Sequence, residues 1–316
     1  MKNISVIIPT YNRANTLKRA IDSVSAQTVP VQEIVIVDDG STDDTKHILE
    51  DYGPPVRYIY QQNKGVSAAR NRGIAETSCE WIAFLDSDDE WLPRKIEQQM
   101  KILEENPNLV WCASNMEIVK QNNYNRVDIQ DHLCPNRTLY FFTACMNGIF
   151  FQISGFIIRR YVLNEIGGFD TSLRISEDRD LWWKIAMRYP TIGYCFELCG
   201  RYYVDTPESL THQNRDRSQS LQTVCNNITY AKKLNSEASK CFEIYGKSLI
   251  FDYLMRNAAR EITVSTDVKI LAEQMLMPHF SERIVLRVLE ILPNYIAQHC
   301  YNVVALIRDF RHSKKK

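Results

Sequence analysis

The chain has 316 residues, of which 45% are hydrophobic and 24% charged, a composition typical of a folded globular protein rather than a disordered one. Basic and acidic side chains are equal in number, at 38 each, so net charge favours neither a nucleic-acid partner nor an acidic one. The nine cysteines are scattered without a CxxC pair, which argues against a zinc site or a disulfide framework and favours reduced thiols in a cytosolic protein.

The first third of the sequence alternates predicted strands with predicted helices. The sequence predicts strands at residues 4–8, 33–37, 56–60, 81–85 and 109–113, of which the apolar runs at 4–8 and 81–85 indicate buried strands. Helical spacing and capping residues predict helices at about 16–27, 42–51, 65–76 and 93–105. This alternation favours an α/β fold with a mostly parallel sheet and helices on both faces. The chain enters a strand pattern at once and has no long apolar run, so we expect neither a signal peptide nor a membrane span.

The remaining sequence divides into three stretches. Residues 117–139 are rich in Asn, Gln and Asp and are interpreted as a surface loop or insertion. A strand at 155–160 leads into a short helix, and a further helix is predicted at 179–189. After about residue 217 glycine nearly vanishes and helical spacing dominates. We therefore predict a domain at 1–215 and a C-terminal helical region at 216–316.

The last predicted helical segment, residues 283–308, is amphipathic. It has a broad apolar face and a polar stripe, is interrupted by Pro293, and precedes the basic tail 314–316. Such a segment either packs against another protein surface or lies at a membrane interface. Both interpretations remain open, and the second allows a cytoplasmic protein that is peripheral at the inner face of the plasma membrane.

Three carboxylates follow the strand predicted at 81–85. Asp86, Asp88 and Asp89, with Ser87 between them, form what we call the acidic loop, residues 86–89. Carboxylates at the tip of a buried strand repel one another unless a cation lies between them, and oxygen ligands suit Mg²⁺ or Mn²⁺. The alternative is a solvated acidic turn that caps the following helix.

Polar side chains at the ends of the other strands suit a nucleotide. Asp38 and Asp39 have oxygens that accept hydrogen bonds from an imide N–H or a ribose hydroxyl, and Tyr11 suits stacking on a base. Lys64 and Arg70 suit a pyrophosphate. The alternatives are a helix-capping turn at Asp38–Asp39, a packing role for the tyrosine and a solvated basic helix face.

Glu177 and Asp178 stand far along the chain from these residues, at the start of the helix predicted at 179–189. An acid near an acceptor site is a sensible general base. Helix starts are commonly acidic, however, because negative charge there interacts favourably with the helix dipole.

These motifs occur in one order along the chain: residues 5–13, 37–43, 63–73, 85–88 and 177–178. The order resembles that of the family 2 glycosyltransferases with the GT-A fold, over about residues 1–210. The resemblance implies inverting transfer from a nucleotide sugar, commonly a UDP-sugar, with Mn²⁺ or Mg²⁺ as cofactor.

The resemblance also implies a role for individual residues. Asp178 would be the base that deprotonates the acceptor hydroxyl, and Asp86-Ser87-Asp88 would be the metal motif, with Asp88 the direct ligand. Many relatives carry a further histidine ligand, and here Asp205 stands in its place, with His212 as the alternative. The residues that would hold the nucleotide are Pro9, Tyr11, Arg13, Asp38, Asp39, Lys64, Arg70 and Asp86.

The sequence therefore predicts a metal-dependent glycosyltransferase that acts on a hydroxyl of a glycan or lipid-linked saccharide in cell-surface polysaccharide biosynthesis. A nucleotidyltransferase also uses a Rossmann-like sheet with acidic metal ligands, but it would leave Glu177 and Asp178 without an obvious role. A non-catalytic nucleotide-sugar-binding or scaffold protein would be expected to have lost an acid among Asp86, Asp88 and Asp178, and all three are present.

Overall fold

The computed structural model describes residues 2–120, 123–125, 137–204 and 218–258. The chain separates into two compact units, Met1–Arg215 and Asp216–Lys316. Asp205, His212 and the amphipathic segment 283–308 lie outside the described residues. Among the helices that are described, none combines the length and the apolar composition that a membrane span requires.

The first unit alternates strands and helices. Its strands are β1 Lys2–Thr10, β2 Val31–Asp38, β3 Val56–Tyr60, β4 Trp81–Phe84, β5 Glu90–Trp91, β6 Trp111–Lys120, β7 Asn123–Asn125, β8 Thr138–Tyr140, β9 Ile157–Arg159 and β10 Thr191–Tyr203. Its helices are α1 Ala14–Ser25, α2 Thr45–Leu49, α3 Val66–Glu76, α4 Lys95–Glu105, α5 Phe141–Met146, α6 Arg160–Ile166 and α7 Glu177–Arg188, with a 3₁₀ turn at Ile153–Gly155 before β9.

The strands form one mixed sheet in the order β3-β2-β1-β4-β9-β6-β10-β5, with β7 beside β6 and β8 beside β10. Strands β3, β2, β1 and β4 are mutually parallel, as the alternating pattern predicts. The short strand β9 runs antiparallel between β4 and β6, so β6 and its parallel neighbour β10 point the same way as β1. The predicted α/β class with a mostly parallel sheet is confirmed.

Helices cover both faces of the sheet because successive side chains of a strand point to opposite sides. On one face the sheet packs against α1, α2 and α4 through Val6, Ile8, Leu17, Ile21, Ile34, Ile36, Leu49, Ile96 and Leu103. On the other face Val35 and Val37 pack against Ala69 of α3, and the ring of Phe84 lies 6.5 Å from that of Trp182 in α7. Strands β1, β2 and β4 are therefore buried on both sides, as their continuous apolar runs predict, whereas the edge strand β3 is only partly buried.

The structure differs from the sequence prediction in the strands that lie beyond β4 in the sheet. Residues 117–120 belong to β6 rather than to a surface loop, because this strand pairs with β10 as far as Val119. Residues 123–125 and 138–140 are also strands. The long strand β10 was not predicted at all. Gly193, Glu197 and Gly200 interrupt its apolar residues, so its sequence lacks the continuous apolar run seen in β1 and β2.

The described part of the second unit is a pair of helices, α8 Ser218–Leu234 and α9 Glu237–Ala258. Their contact depends on Gly246 in α9, since a Cβ there would lie 2.9 Å from Ile228 Cγ1. The turn between them is closed by Ser236 and Ser239, each of which accepts the backbone N–H of the other through its hydroxyl. The helical character predicted after residue 217 is seen throughout this described pair.

Candidate active site

The carboxyl ends of β1, β2 and β4 lie side by side. The Asp39 N–H donates to the Thr10 carbonyl at 2.8 Å, and the Leu85 N–H donates to the Ile7 carbonyl at 3.1 Å. Each hydrogen bond continues the parallel pairing one residue beyond a strand. The polar residues that follow the three strands are therefore brought to one edge of the sheet, which is the usual ligand-binding edge of such folds.

Asp38 is buried at the end of β2 and is held by two donors. Its Oδ1 accepts the Ser41 N–H at 2.8 Å, and its Oδ2 accepts the Tyr58 hydroxyl at 2.8 Å. Burial of the phenol, together with the Asp38 carboxylate, raises the pKa of Tyr58 well above its ordinary value. Tyr58 therefore remains a hydrogen-bond donor that holds the Asp38 carboxylate in place at the end of β2.

Asp39 organises the loop that leads into α3. Its Oδ1 accepts the Gln61 side-chain amide at 2.7 Å and the Lys64 N–H at 2.9 Å, and its Oδ2 accepts the Gly65 N–H at 2.7 Å. A buried carboxylate with three N–H donors is well satisfied. In this structure Asp39 shapes the loop, and the Lys64 side chain at its tip is exposed.

The loop after β1 is held against the loop after β2 by Asn12. This residue has a left-handed backbone, with φ at 51°, a region that asparagine tolerates better than most residues. Its N–H donates to the Ser41 hydroxyl at 2.9 Å, and its side-chain oxygen accepts the Thr42 N–H at 2.8 Å. Tyr11, beside it, is 47% exposed, whereas Pro9 is buried within β1. The sequence analysis did not single out Asn12, although asparagine in a loop between two such strands is a signal for this role.

The three acids of the acidic loop have three different environments. Asp86 Oδ1 accepts a hydrogen bond from Arg70 at 2.8 Å, and Asp88 Oδ2 lies 3.8 Å from Arg13 Nε. Asp89 is fully buried, with its oxygens bonded to the Ser154 hydroxyl and the Tyr203 N–H. Burial, followed by the charges of Asp88 and Asp86, raises the pKa of Asp89 well above its usual range. The loop is therefore a fixed structure with one carboxyl inside the protein and two at the site.

Arg19 of α1 also supports the acidic loop, although nothing in the sequence marked it. Its guanidinium donates to the Asp88 carbonyl and lies 3.9 Å from the centre of the Tyr203 ring. The side chain therefore bridges the acidic loop and the end of β10. Tyr203 continues this contact, because its hydroxyl donates to Glu90 at 2.9 Å.

The start of α7 reaches the acidic loop through Arg70. The Arg70 guanidinium is 3% exposed and donates to Glu177 Oε1 at 2.9 Å as well as to Asp86. Asp178 follows Glu177 and is half-buried, and its Oδ1 accepts the Arg179 N–H at 2.7 Å. Burial and the neighbouring Asp178 raise the pKa of Glu177, against the opposing effect of Arg70. The predicted base thus stands next to a residue that is joined to the predicted metal motif.

The described residues fit a cation only in part. Among them, no three His, Cys, Asp or Glu side chains lie close enough to hold a metal ion by themselves. Asp86 and Asp88 both belong to the acidic loop at this edge of the sheet, each beside an arginine. Mg²⁺ commonly binds one or two carboxylates together with substrate phosphates. The donor set therefore suits a metal that arrives with a diphosphate, and the predicted third ligand, Asp205, lies outside the described residues.

Comparison with known proteins gives the class to which this fold and site belong. The family model described as glycosyl transferase family 2 matches residues 5–167, a stretch that runs from β1 to the end of α6. The chain therefore belongs to glycosyl transferase family 2. The match includes the loops after β1 and β2, Arg70 and the acidic loop, and it ends before Glu177 and Asp178.

Relatives of this chain also carry the name glycosyltransferase. An uncharacterised glycosyltransferase of Rickettsia typhi is 35% identical over 199 residues, which are 62% of this chain and 62% of that protein. TuaG of Bacillus subtilis, a candidate teichuronic acid biosynthesis glycosyltransferase, is 38% identical over 106 residues. These residues are 32% of this chain and 42% of TuaG. The chain thus spans about three fifths of the first relative's length.

A solved structure matches the fold over a greater length. TarS 1–349 of S. aureus, in complex with UDP-GlcNAc, superposes with a TM-score of 0.70, covering 87% of this chain and 80% of TarS. The sequences are 18% identical over that match, so the likeness is one of fold. It agrees with the GT-A fold that the order of motifs implies.

Proposed function

We propose that the protein transfers a sugar from a nucleotide-sugar donor, with UDP-sugars favoured, to a hydroxyl group of a glycan or a lipid-linked saccharide. Membership of glycosyl transferase family 2 supports this reaction class. One structural observation carries the proposal further. Arg70 joins the acidic loop, which follows β4, to the start of α7, where the candidate base lies. The groups that we propose for donor binding and for acceptor activation are therefore connected through one side chain.

The reaction in this proposal is a single displacement. Asp178 accepts the proton of the acceptor hydroxyl, and the acceptor oxygen forms a bond to the anomeric carbon of the donor sugar. The bond between that carbon and the diphosphate oxygen breaks, and the nucleoside diphosphate leaves with the bonding electrons. Attack opposite the leaving group inverts the anomeric carbon. A carboxylate suits this step because it accepts a proton, and the half-buried Asp178 follows Glu177, which Arg70 joins to the acidic loop.

The nucleotide is assigned to the ends of β1, β2 and α3. The exposed Tyr11 ring suits stacking on the base, and Pro9 shapes the start of that loop. Asp38 and Asp39 suit the uracil and the ribose, and their carboxylates are held in place by donors from their own loops. Arg13 and Lys64 suit the phosphates, because Arg13 lies beside Asp88 and the Lys64 side chain is exposed.

Metal dependence forms part of the proposal. Asp88 would be the direct ligand of Mn²⁺ or Mg²⁺, with Asp86 nearer the ribose and Asp205 or His212 completing the set. When bound, such an ion offsets the negative charge that develops on the leaving diphosphate. Arg13, 3.8 Å from Asp88, adds positive charge from the protein itself at the same point.

The acceptor is proposed from the name of one relative, and the cellular location from the sequence. TuaG is named for teichuronic acid biosynthesis, which supports a glycan or lipid-linked saccharide of the cell surface as acceptor.

We place the enzyme in the cytoplasm, with the segment 283–308 as a candidate peripheral contact to the inner face of the plasma membrane. Binding of the full chain to anionic vesicles, lost on removal of residues 283–316, would support that contact. Equal binding by both chains would contradict it.

Calorimetric titration tests the donor site. UDP, UDP-glucose, UDP-galactose, UDP-N-acetylglucosamine and GDP-mannose are titrated into the full chain, with Mn²⁺ and with chelator. Wild type, Asp88→Ala and the control Asp51→Ala, an exposed acid between α2 and β3, are compared. We expect metal-dependent binding of uridine nucleotides that Asp88→Ala loses and Asp51→Ala keeps. Absence of binding to every nucleotide would overturn the proposal.

A further inference from the structure

Arg70 and Asn71, consecutive residues of α3, hold the segment that leads into α7. The Asn71 side-chain amide donates to the Phe169 carbonyl at 2.8 Å, and its oxygen accepts the Phe169 N–H at 2.8 Å. The Arg70 guanidinium lies 5.3 Å from the centre of the Phe169 ring. These contacts fix the chain at Phe169, nine residues before Asp178.

The approach is close because Gly168 has no side chain. Its backbone is left-handed, with φ at +72°, and a Cβ there would lie 2.5 Å from Asn71 Oδ1. Any other residue would push the segment away from α3. The sequence after α6 is therefore built to meet α3 at this point.

The second attachment is the Arg70–Glu177 ion pair. Arg70 donates to Glu177 through Nη1 and to Asp86 through Nη2, so one planar guanidinium joins the first residue of α7 to the first residue of the acidic loop. Burial opposes the charge of Arg70, but the two carboxylates outweigh it and raise the pKa of the guanidinium. Both terminal nitrogens of the side chain therefore donate to protein carboxylates, whereas Nε is buried without a hydrogen-bond partner among the described residues.

We infer that Glu177 is a positioning residue: through Arg70 it sets the start of α7, and hence Asp178, at a fixed place relative to the acidic loop. This inference rests on the proposed function. It also changes the role expected of Arg70, which becomes a tie between two parts of the site rather than a contact to the pyrophosphate. Small displacements of a catalytic group are costly in rate, so such a tie acts on turnover more than on donor affinity.

Kinetics of the full chain test the inference. The measured quantity is UDP release, with water as acceptor, from UDP-glucose, UDP-galactose or UDP-N-acetylglucosamine, whichever the wild type turns over fastest. Glu177→Ala should lower kcat on the order of 10- to 100-fold, while KM for the donor stays within about threefold. Glu177→Gln should recover part of kcat, because its side-chain oxygen still accepts a hydrogen bond from Arg70.

A double-mutant cycle separates positioning from general damage to the fold. If Glu177 acts only through Asp178, then adding Glu177→Ala to Asp178→Asn should change kcat by less than about twofold. A matched control exists at the other end of α7, where Arg188 donates a hydrogen bond to Glu165 of α6 at 2.6 Å. Glu165→Ala should leave kcat and KM unchanged.

The outcomes distinguish this inference from the function on which it rests. A wild type that releases UDP from none of the three donors would overturn the proposed function and the inference with it. An active wild type with an equally active Glu177→Ala would overturn the inference alone. So would a further large fall in kcat when Glu177→Ala is added to Asp178→Asn, since Glu177 would then act independently of the base.

Discussion

Ser154 and Asp89 are hydrogen-bonded to each other inside the protein, although they are 65 residues apart in the sequence. The Ser154 hydroxyl donates to the buried Asp89 carboxylate and accepts the Asp86 N–H at 3.1 Å. One hydroxyl therefore fastens both ends of the acidic loop to the 3₁₀ turn before β9. The loop has its shape before any ligand binds.

Replacing Ser154 with alanine should destabilise the protein. The change removes a donor from a buried carboxyl and an acceptor from the Asp86 N–H, and unsatisfied buried groups cost about 1–3 kcal/mol. We expect the free energy of unfolding in urea to fall by that amount. Ser25→Ala, on the exposed end of α1, should change it by less than about 0.5 kcal/mol. Equal stability of the Ser154 and Ser25 variants would mean that the hydroxyl does not hold the loop.

Asp39→Asn should loosen the loop before α3. The Asp39 oxygens accept hydrogen bonds from three N–H groups. In the variant, the amide NH₂ replaces one of these oxygens, so an N–H donor would face another N–H donor. We expect a loss of about 1–3 kcal/mol in the free energy of unfolding, measured in urea. The same change at the exposed Asp51 is the control and should have little effect. A stable Asp39→Asn protein would argue that the carboxylate is poised for a ligand rather than for the loop.

Gly73→Ala should show how tightly α3 packs on the sheet. A Cβ at Gly73 would lie 2.5 Å from Ile7 Cγ2, and overpacking of a core typically costs about 1–3 kcal/mol. Thermal unfolding should detect this as a lower Tm. Gly53 is the matched control, because a Cβ there meets nothing within 4 Å. If both alanine variants melted like the wild type, the helix would be free to shift away from β1.

The strand ends of the site were predictable because each follows a continuous apolar run. Asp38 and Asp86 stand directly beyond such runs, and parallel strands bring their carboxyl ends to one edge. A single sequence therefore indicates that these residues are neighbours. It also indicates the fold, since the alternation of strands and helices is local in the chain.

The pairings across the site were not predictable in the same way. Arg70 and Glu177 are 107 residues apart, and nothing local to either residue names its partner. The sequence suggested a phosphate contact for Arg70 because a basic residue on a glycine-bounded helix suits one. Ser154 was missed for a related reason, since a serine before a short strand has many possible roles. Its function depends on β9 inserting beside β4, which only the assembled sheet reveals.

Lys95 is a buried cation in the core. It is 0% exposed, with its ammonium group 4.0 Å from the centre of the Trp91 ring and a hydrogen bond to Gln99 at 2.7 Å. Burial lowers the pKa of Lys95 from its ordinary 10.5 to about 8, against the opposing effect of Cys199, Cys112 and Cys195. The folded protein therefore binds this proton less tightly than the unfolded chain.

This pKa shift predicts how stability depends on pH. Below about pH 8 Lys95 is protonated in both states, so the burial of its charge destabilises the fold. Between about pH 8 and 10.5 only the unfolded chain keeps the proton, so the contribution of Lys95 to the unfolding free energy rises with pH. At about 1.4 kcal/mol per pH unit over this window, the gain is on the order of 3–4 kcal/mol.

Lys95→Met tests this by removing the charge while keeping an apolar stem. Urea unfolding of wild type and variant, under reducing conditions from about pH 7 to about pH 10, should show the wild type gaining stability relative to Lys95→Met as pH rises. Comparing the two proteins at each pH largely cancels the other groups that titrate in this range. Lys101→Met, whose side chain is 68% exposed, should give a difference that does not change with pH. A Lys95→Met curve parallel to the wild type would mean that Lys95 keeps its proton at an ordinary pKa inside the core.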